Sequence, residues 1–379
     1  MTAFNLEAAT QLAAPHDLSD VQRRAIDQAG ALPIPTAAEE VWRYSRIAEL
    51  DLASYSPGID IVEVTGGSQY VSKGAAAELA TDTDVFDALN TAFSDPILIR
   101  VPKGAVLTEP ITVEHRLTQA DTATFPRLII EAGEDSEFSV VERFSSDDGL
   151  TALTVPRVEL RVGHSARVKY LSINELGAKS WMIARQRAEA DRDSSTLLAT
   201  VSLGADYARV RTDAVAAGIG ADIRQIALYF ADGTQMHDFR TMQKHSAPKT
   251  SSNLLFKGAV NDTARSVYTG LIRIDKEAKG TVAFQTNRNL TLSAGAWAES
   301  VPNLDIETND VKCSHASTVG PVDPEQRFYL ESRGVPPEVA ERLIVLGFFD
   351  EVLEQLPATS LTAGLRAKVA AKLDKRVSA

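Results

Sequence analysis

The sequence holds a single cysteine, Cys313, among its 379 residues. That excludes an internal disulfide and points to a compartment where thiols stay reduced, the cytosol by default. Long apolar runs are missing as well. The run from Leu343 to Phe349 falls far short of the roughly 20 residues a membrane span requires. No basic residue precedes Arg23, so Met1–Gln22 lacks the charged segment of a secretory signal, and a cytoplasmic protein is expected. Positive charge is in deficit. Lysine and arginine total 39 against 51 aspartates and glutamates, a net charge of −12, which argues against nucleic acid or an anionic membrane as the main partner.

Several catalytic signatures are also missing. There is no G-x-x-x-x-G-K-[ST], and Gly-Lys never occurs as a dipeptide, so no loop is built to cradle a nucleotide triphosphate. Gly218-Ile-Gly220 is not continued into a dinucleotide fingerprint, and neither H-E-x-x-H nor G-x-S-x-G is present. The six histidines are scattered at 16, 115, 164, 237, 245 and 315.

Hydrophobic residues make up 44 %, enough for a large core, and the length implies more than one structural unit. Three regions are expected. Residues 1–94 read as mostly helical. Ser19 to Ala29 carries an apolar stripe of Val21, Ala25 and Ile26. Thr36-Ala-Ala-Glu39 matches a capping box for a helix bearing Val41, Trp42 and Tyr44. Gly66-Gly67 marks a turn, and Asp84 to Ala92 a further helix.

Residues 95–320 turn to short alternating runs, among them Pro96–Val101, Leu128–Glu131, Phe138–Val141, Val158–Val162, Arg167–Leu171, Leu197–Leu203, Ile223–Phe230 and Val267–Ile274. Glycines 133, 163, 204 and 220 each precede such a run without a strict period. Many strands with no helical crossover suit a β-helix or a large sandwich. Polar alternation in Thr234–Thr250 and Gln285–Leu290 favours the β-helix, with those side chains expected to face outward and stack between coils.

Residues 321–379 are helical again. Asp323-Pro-Glu-Gln326 opens one helix, which Gly334 should end. Pro336-Pro-Glu338 opens a second, with Val339, Leu343 and Leu346 on one face and Gly347 as terminator. Leu361, Leu365, Val369 and Leu373 stripe the third. Lys372, Lys375 and Arg376 near its end suit the negative pole of the helix dipole.

The sharpest local feature is Val311-Lys-Cys-Ser-His315. Residues two apart on a strand face one side, so Cys313 and His315 would present a thiol and an imidazole together. Both ligate iron and zinc. Two ligands close no site, so any cluster here must borrow the rest from another subunit. The alternative is a small buried cysteine beside a hydrogen-bonded strand histidine. His237 and His245 would lie about 25 Å apart on one strand face and are expected to be structural. Asp305, Glu307 and Asp310 read as a solvated strand edge.

These motifs resemble the SufB/SufD family. Glu40-Val-Trp-Arg-Tyr44 is similar to its N-terminal signature. The stretch His237 to Leu304 looks like its core, through His245-Ser-Ala-Pro-Lys-Thr-Ser-Ser252, Lys257-Gly-Ala-Val-Asn-Asp262, Tyr268-Thr-Gly270, Gln285-Thr-Asn-Arg-Asn-Leu290 and Pro302-Asn-Leu304. Asp310-Val-Lys-Cys-Ser-His-Ala-Ser-Thr-Val-Gly320, Phe328-Tyr-Leu-Glu-Ser-Arg-Gly334 and Leu346-Gly-Phe-Phe349 extend the likeness, which runs from about residue 36 to 357. The single cysteine, and the lack of Glu-Ala after the histidine, favour the SufD type over the SufB type. Ala316 stands where SufD-like chains often have glycine.

The resemblance implies a right-handed parallel β-helix between N- and C-terminal helical regions, and a non-enzymatic scaffold for iron–sulfur cluster assembly. It implies a SufB-type paralogue and a SufC-type ATPase as partners, the ATPase docking on the C-terminal helices. It also implies His315, with Cys313, beside a transient cluster at the subunit interface. No stable cofactor is expected in the isolated chain, ATP acts only through the partner ATPase, and a homodimer is an open alternative when the chain is alone. The rival readings are a SufB-like or homodimeric scaffold and a β-helix carbohydrate-active enzyme.

Overall fold

The computed structural model describes residues 3–13, 17–74 and 83–377. Its core is a parallel β-solenoid of about eight turns. A nine-stranded sheet runs in the order Ile61–Thr65, Ile111–Leu117, Glu137–Ser146, Arg167–Glu175, Ser195–Ser202, Asp222–Ala231, Ser251–Val260, Thr281–Thr291 and Val311–Gly320. The facing sheet climbs in step from Ile97–Val101 through Arg127–Ala132, Arg157–Val162, Trp181–Ala190, Tyr207–Ala216, Met236–His245 and Arg265–Ile274 to Trp297–Ile306. All eight runs named as strands fall on these elements, with only Pro96 and Leu203 just outside them. Two antiparallel strands, Ile61–Thr65 and Val71–Lys73, lie at the N-terminal end of the sheets.

Successive coils stack closely at their corners. A Cβ on Gly204 would lie 2.2 Å from the Leu176 carbonyl oxygen of the coil below, and one on Gly218 1.9 Å from the Arg192 amide nitrogen. Only glycine lets the backbones meet there.

The interior is apolar near its start, where Ile99, Ile111, Val113, Ile130, Val140 and Val168 pack together. Towards the C-terminal end it becomes polar, and here the expected orientation is reversed. Gln285, Asn287 and Asn289 point inward and are buried, as are His237, Gln243 and His245. The stacking itself holds. Asn287 Nδ2 donates to the Tyr229 hydroxyl at 3.0 Å, that hydroxyl donates to Asn289 Oδ1 at 2.7 Å, and Asn289 Nδ2 donates to Asn287 Oδ1 at 2.8 Å. Bonds between side chains of different coils make the polar interior tolerable.

The N-terminal region is less helical than expected. Helices α1 (Leu6–Ala13), α2 (Asp20–Ala31) and α3 (Val85–Phe93) are present, with Ser19 and Gln22 forming a true capping box and Asp84 capping α3. Ala25 and Ile26 are buried as the stripe requires, and Gly66 and Gly67 both take positive φ at the turn. The Thr36–Glu39 pattern does make its backbone-to-carboxylate bond at 2.9 Å, yet only a 3₁₀ turn at Glu40–Trp42 follows. Anchoring decides this. Arg209 and Arg240 on the solenoid take the Val41 and Glu40 carbonyls that a continuing helix would use.

Arg240 belongs to a file of stacked arginines. Arg127, Arg157, Arg185, Arg211 and Arg240 occupy one register position on five consecutive coils. Like charges at strand spacing are tolerated because acids interleave them. Glu159 pairs with Arg127 and Arg157, Asp213 with Arg185 and Arg211, and Asp87 of α3 with Arg185. Charge pairing thereby ties the N-terminal region to the outside of the solenoid.

At the other end, α4 (Pro324–Glu331), capped by Asp323, is followed by Gly334 at φ 87°. Helix α5 (Pro337–Leu353) runs straight through Gly347, which is not a terminator. Its buried face is also different from the one expected. Ala340, Val345, Leu346, Phe349, Val352 and Leu353 pack inward, while Val339 and Leu343 face solvent. Helix α6 (Thr359–Val377) buries Leu365, Val369 and Leu373 as its stripe requires. Together α5 and α6 cover the outer face of the nine-stranded sheet, over Leu171, Ile173, Leu197, Val201, Ile226, Leu228 and Phe230. Lys372 is no dipole cap. Its ammonium reaches the solenoid, donating to the Leu203 carbonyl at 2.8 Å and Asp232 Oδ1 at 2.6 Å. The Lys375 and Arg376 side chains lie outside the described residues.

Candidate functional site

Val311–Gly320 is the last strand of the nine-stranded sheet, bonded on one side to Thr281–Thr291 and forming the sheet's edge on the other. Its register sets what each side chain stands on. Cys313 sits over Ala283, His315 over Gln285, Ser317 over Asn287 and Val319 over Asn289. The lower residues are all buried and inward-facing, so this row continues the interior face of the solenoid, with no further coil above it among the described residues.

The two candidate residues therefore share a face, as their spacing requires, but differ in setting. Cys313 is half-buried against the small cluster of Ile272, Ile274, Ala278 and Ala283. That burial pushes its thiol pKa up, away from the reactive thiolate. His315 is exposed. The acidic residues nearby are in part neutralised: Arg273 lies 3.7 Å from Asp305 and 3.5 Å from Glu307. Among the described residues no three His, Cys, Asp or Glu side chains converge as a metal site.

The other described histidines are placed away from this edge. His237 is fully buried, with Nε2 3.0 Å from the Gly204 carbonyl oxygen. Burial, helped by the Lys372 charge, lowers its pKa to about 4. His245 is held between Thr250 and Ser252 at 2.8 and 2.9 Å, and burial likewise lowers it to about 4. Both are neutral structural residues. His164 is half-exposed, and His16 lies outside the described residues.

His115 was passed over in the sequence. Its imidazole is buried between two carboxylates, with Nδ1 2.5 Å from Asp60 and Nε2 3.1 Å from Glu142, and Glu142 also accepts from the Tyr170 hydroxyl. Burial opposes the charged ring, but the two carboxylates outweigh it and raise the pKa to about 9. The alternation Ile111-Thr-Val-Glu-His-Arg-Leu117 marks His115 as inward-facing, but its acid partners are 55 and 27 residues away.

A sequence profile described as "SUF system FeS cluster assembly, SufBD core domain" matches residues 115–348, a span that includes most of the solenoid and the Cys313–His315 strand. The chain belongs to the SufBD family. Relatives agree over most of its length. An iron–sulfur cluster assembly SufBD family protein of Mycobacterium tuberculosis is 29 % identical over 91 % of this chain and 90 % of its own. The iron–sulfur cluster assembly protein SufD of Escherichia coli is 28 % identical over 79 % of this chain and 71 % of its own. SufD of Bacillus subtilis is 29 % identical over 73 % and 63 % respectively. The chain is thus a SufD-like component of iron–sulfur cluster assembly, and its SufBD core carries the candidate site on its last strand.

Proposed function

We propose that the chain is a non-catalytic scaffold subunit that pairs with a SufB-type paralogue and binds a SufC-type ATPase. In this reading it contributes His315, with Cys313 as a secondary donor, to a nascent cluster at the subunit interface. The cluster is cargo, assembled and passed on. One observation carries the reading: the exposed His315 stands on the outermost strand of its sheet, whose free edge is paired with no further strand among the described residues. Bare edges are usually blunted or covered in native proteins. At this end both sheets stop at full ten-residue strands, with Trp297, Leu304, Ile306 and Val319 exposed. A second solenoid adding its own strands would satisfy both edges and supply the missing ligands. The same edges would serve a homodimer when the paralogue is absent. ATP acts through the partner ATPase, and the setting is cytoplasmic.

The test is His315→Ala in the assembled complex. An exposed histidine makes few packing contacts, so complex mass and melting temperature should change little, while anaerobic cluster content falls sharply. Wild-type cluster content in the variant, or a loss matched by unfolding, overturns the ligand role. A sugar-cleaving activity of the purified chain would favour the enzyme reading instead.

A further inference from the structure

Gln285 occupies the register position beneath His315, and its side chain is 1 % exposed. Neither its amide nitrogen nor its amide oxygen has a hydrogen-bond partner. A buried primary amide has two donors and two acceptor sites, and leaving them unused costs about 1–3 kcal/mol. Its surroundings show where a partner can come from. The residue below it in the file is Leu254, which is apolar and fully buried. Beside it on the strand, Asn287 is already engaged with Tyr229 and the Phe256 carbonyl. Across the interior the amide lies against Gly270, and the nearby Tyr268 hydroxyl is bonded to Thr241 at 3.0 Å. The remaining polar neighbour in the file is His315, directly above.

Gly270 makes this arrangement possible. A Cβ there would fall 2.4 Å from Gln285 Nε2 and 2.3 Å from the Tyr268 hydroxyl. Glycine opens the notch in which the amide lies. Gln225 and Gln243 also carry unpartnered amides. Gln225 is two coils deeper in the same file and Gln243 is on the opposite sheet, so neither adjoins the edge strand.

We infer that Gln285 is the positioning residue of this site: its amide carbonyl accepts the N–H of the His315 imidazole once a partner chain covers the edge, turning the other ring nitrogen toward iron. The inference rests on the ligand role proposed for His315. A ligating imidazole needs one nitrogen unprotonated and the ring held in plane, and an acceptor on the opposite nitrogen supplies both. The inference also gives a use to two motifs the fold alone leaves unexplained, Tyr268-Thr-Gly270 and the glutamine of Gln285-Thr-Asn-Arg-Asn-Leu290.

The experiment measures ferrous iron binding to the assembled complex under anaerobic conditions without sulfide, beside the melting temperature of each variant chain. Gln285→Leu should weaken iron binding about 10- to 100-fold, the usual effect of losing an outer partner of a ligand. Its melting temperature should hold or rise, since a buried unpaired amide is removed. Gln285→Glu, which keeps the acceptor, should restore most of the affinity. Gly270→Ala should lower affinity by displacing the amide, and Gln225→Leu should leave it unchanged. Wild-type affinity in Gln285→Leu, alongside lost affinity in His315→Ala, overturns the positioning role and leaves the ligand role standing. Equal loss in Gln225→Leu and Gln285→Leu, or a loss tracking lowered melting temperature, also overturns it. Wild-type affinity in His315→Ala, or no ferrous binding by the wild-type complex, removes the ligand role and the positioning role with it.

Discussion

The Arg209 guanidinium lies 4.3 Å from the centre of the Trp42 ring, and this contact joins the N-terminal signature to the solenoid. Arg209 is almost wholly buried, pairs with Asp238 and donates to the Val41 carbonyl, while the Tyr207 hydroxyl donates to Asp238 at 2.8 Å. The guanidinium is therefore hydrogen-bonded at its edges and covered on a face by an aromatic ring, which suits arginine and not lysine. Arg209→Ala should destabilise the chain by about 3–5 kcal/mol, because Asp238 is left as a buried unpaired charge. Arg209→Lys should recover only part of that loss. Denaturant melts of the two variants check both statements, and an Arg209→Ala chain as stable as wild type would show that the pair contributes no net stability.

Why the signature residues are there was not legible in the sequence. Trp42 reads as an anchor, but its counterpart is 167 residues away and reaches it through the register of the coils. The arginine file is hidden for the same reason. Its members recur at unequal intervals because the coils differ in length, so no period appears. Strand alternation was legible and located the solenoid. Parity alone, however, tells which residues share a face and not which face is inside. On Asp222–Ala231 both faces are buried, one by the interior and one by α5 and α6, and polar Gln225 belongs to the inner one. At the candidate site, the shared face of Cys313 and His315 followed from spacing. The role of Gln285 did not, since it depends on which strand lies beneath.

Histidine burial sets a pH profile with two opposed slopes. His115 has its pKa raised to about 9 in the folded chain, above the ordinary value near 6.5. Its contribution is complete below about pH 6.5, declines as the pH rises, and is gone above about 9. His237 and His245 are lowered to about 4, so their contribution is complete above about pH 6.5 and is lost as the pH falls toward 4. Thermal stability from these groups should peak near pH 6.5. In His115→Gln the decline between about pH 6.5 and 9 should flatten, while the acid limb is unchanged. Melting temperatures of both chains across that range are the measurement. An unaltered alkaline slope would mean that the Asp60–His115–Glu142 cluster does not carry the charge assigned to it.

The C-terminal helices face two ways, and substitutions on each face separate docking from folding. Inward, Phe349, Val352, Leu365 and Val369 are buried over the sheet, and Lys257 donates to the Phe348 carbonyl at 2.8 Å. Outward, Phe328 is 71 % exposed, Tyr329 55 % and Leu343 49 %. Large apolar side chains held open on two successive helices are costly to leave in water and suit a partner surface. The proposed occupant is the ATPase. Deleting residues 336–379 is a poor test, because it also uncovers Leu171, Leu197, Ile226 and Phe230 and confounds docking with solubility. Phe328→Ser and Leu343→Asp avoid this. Each removes exposed surface only, so stability should stay within about 0.5 kcal/mol of wild type. If either residue is a centre of the docking surface, affinity for the ATPase should fall at least about 30-fold, the effect of losing roughly 2 kcal/mol at an interface hot spot. Phe349→Asp is the contrast: it should unfold the C-terminal helices and lower binding only together with the melting temperature. Titration of the ATPase against all three variants decides the matter, and wild-type affinity in Phe328→Ser and Leu343→Asp together would move the docking surface elsewhere.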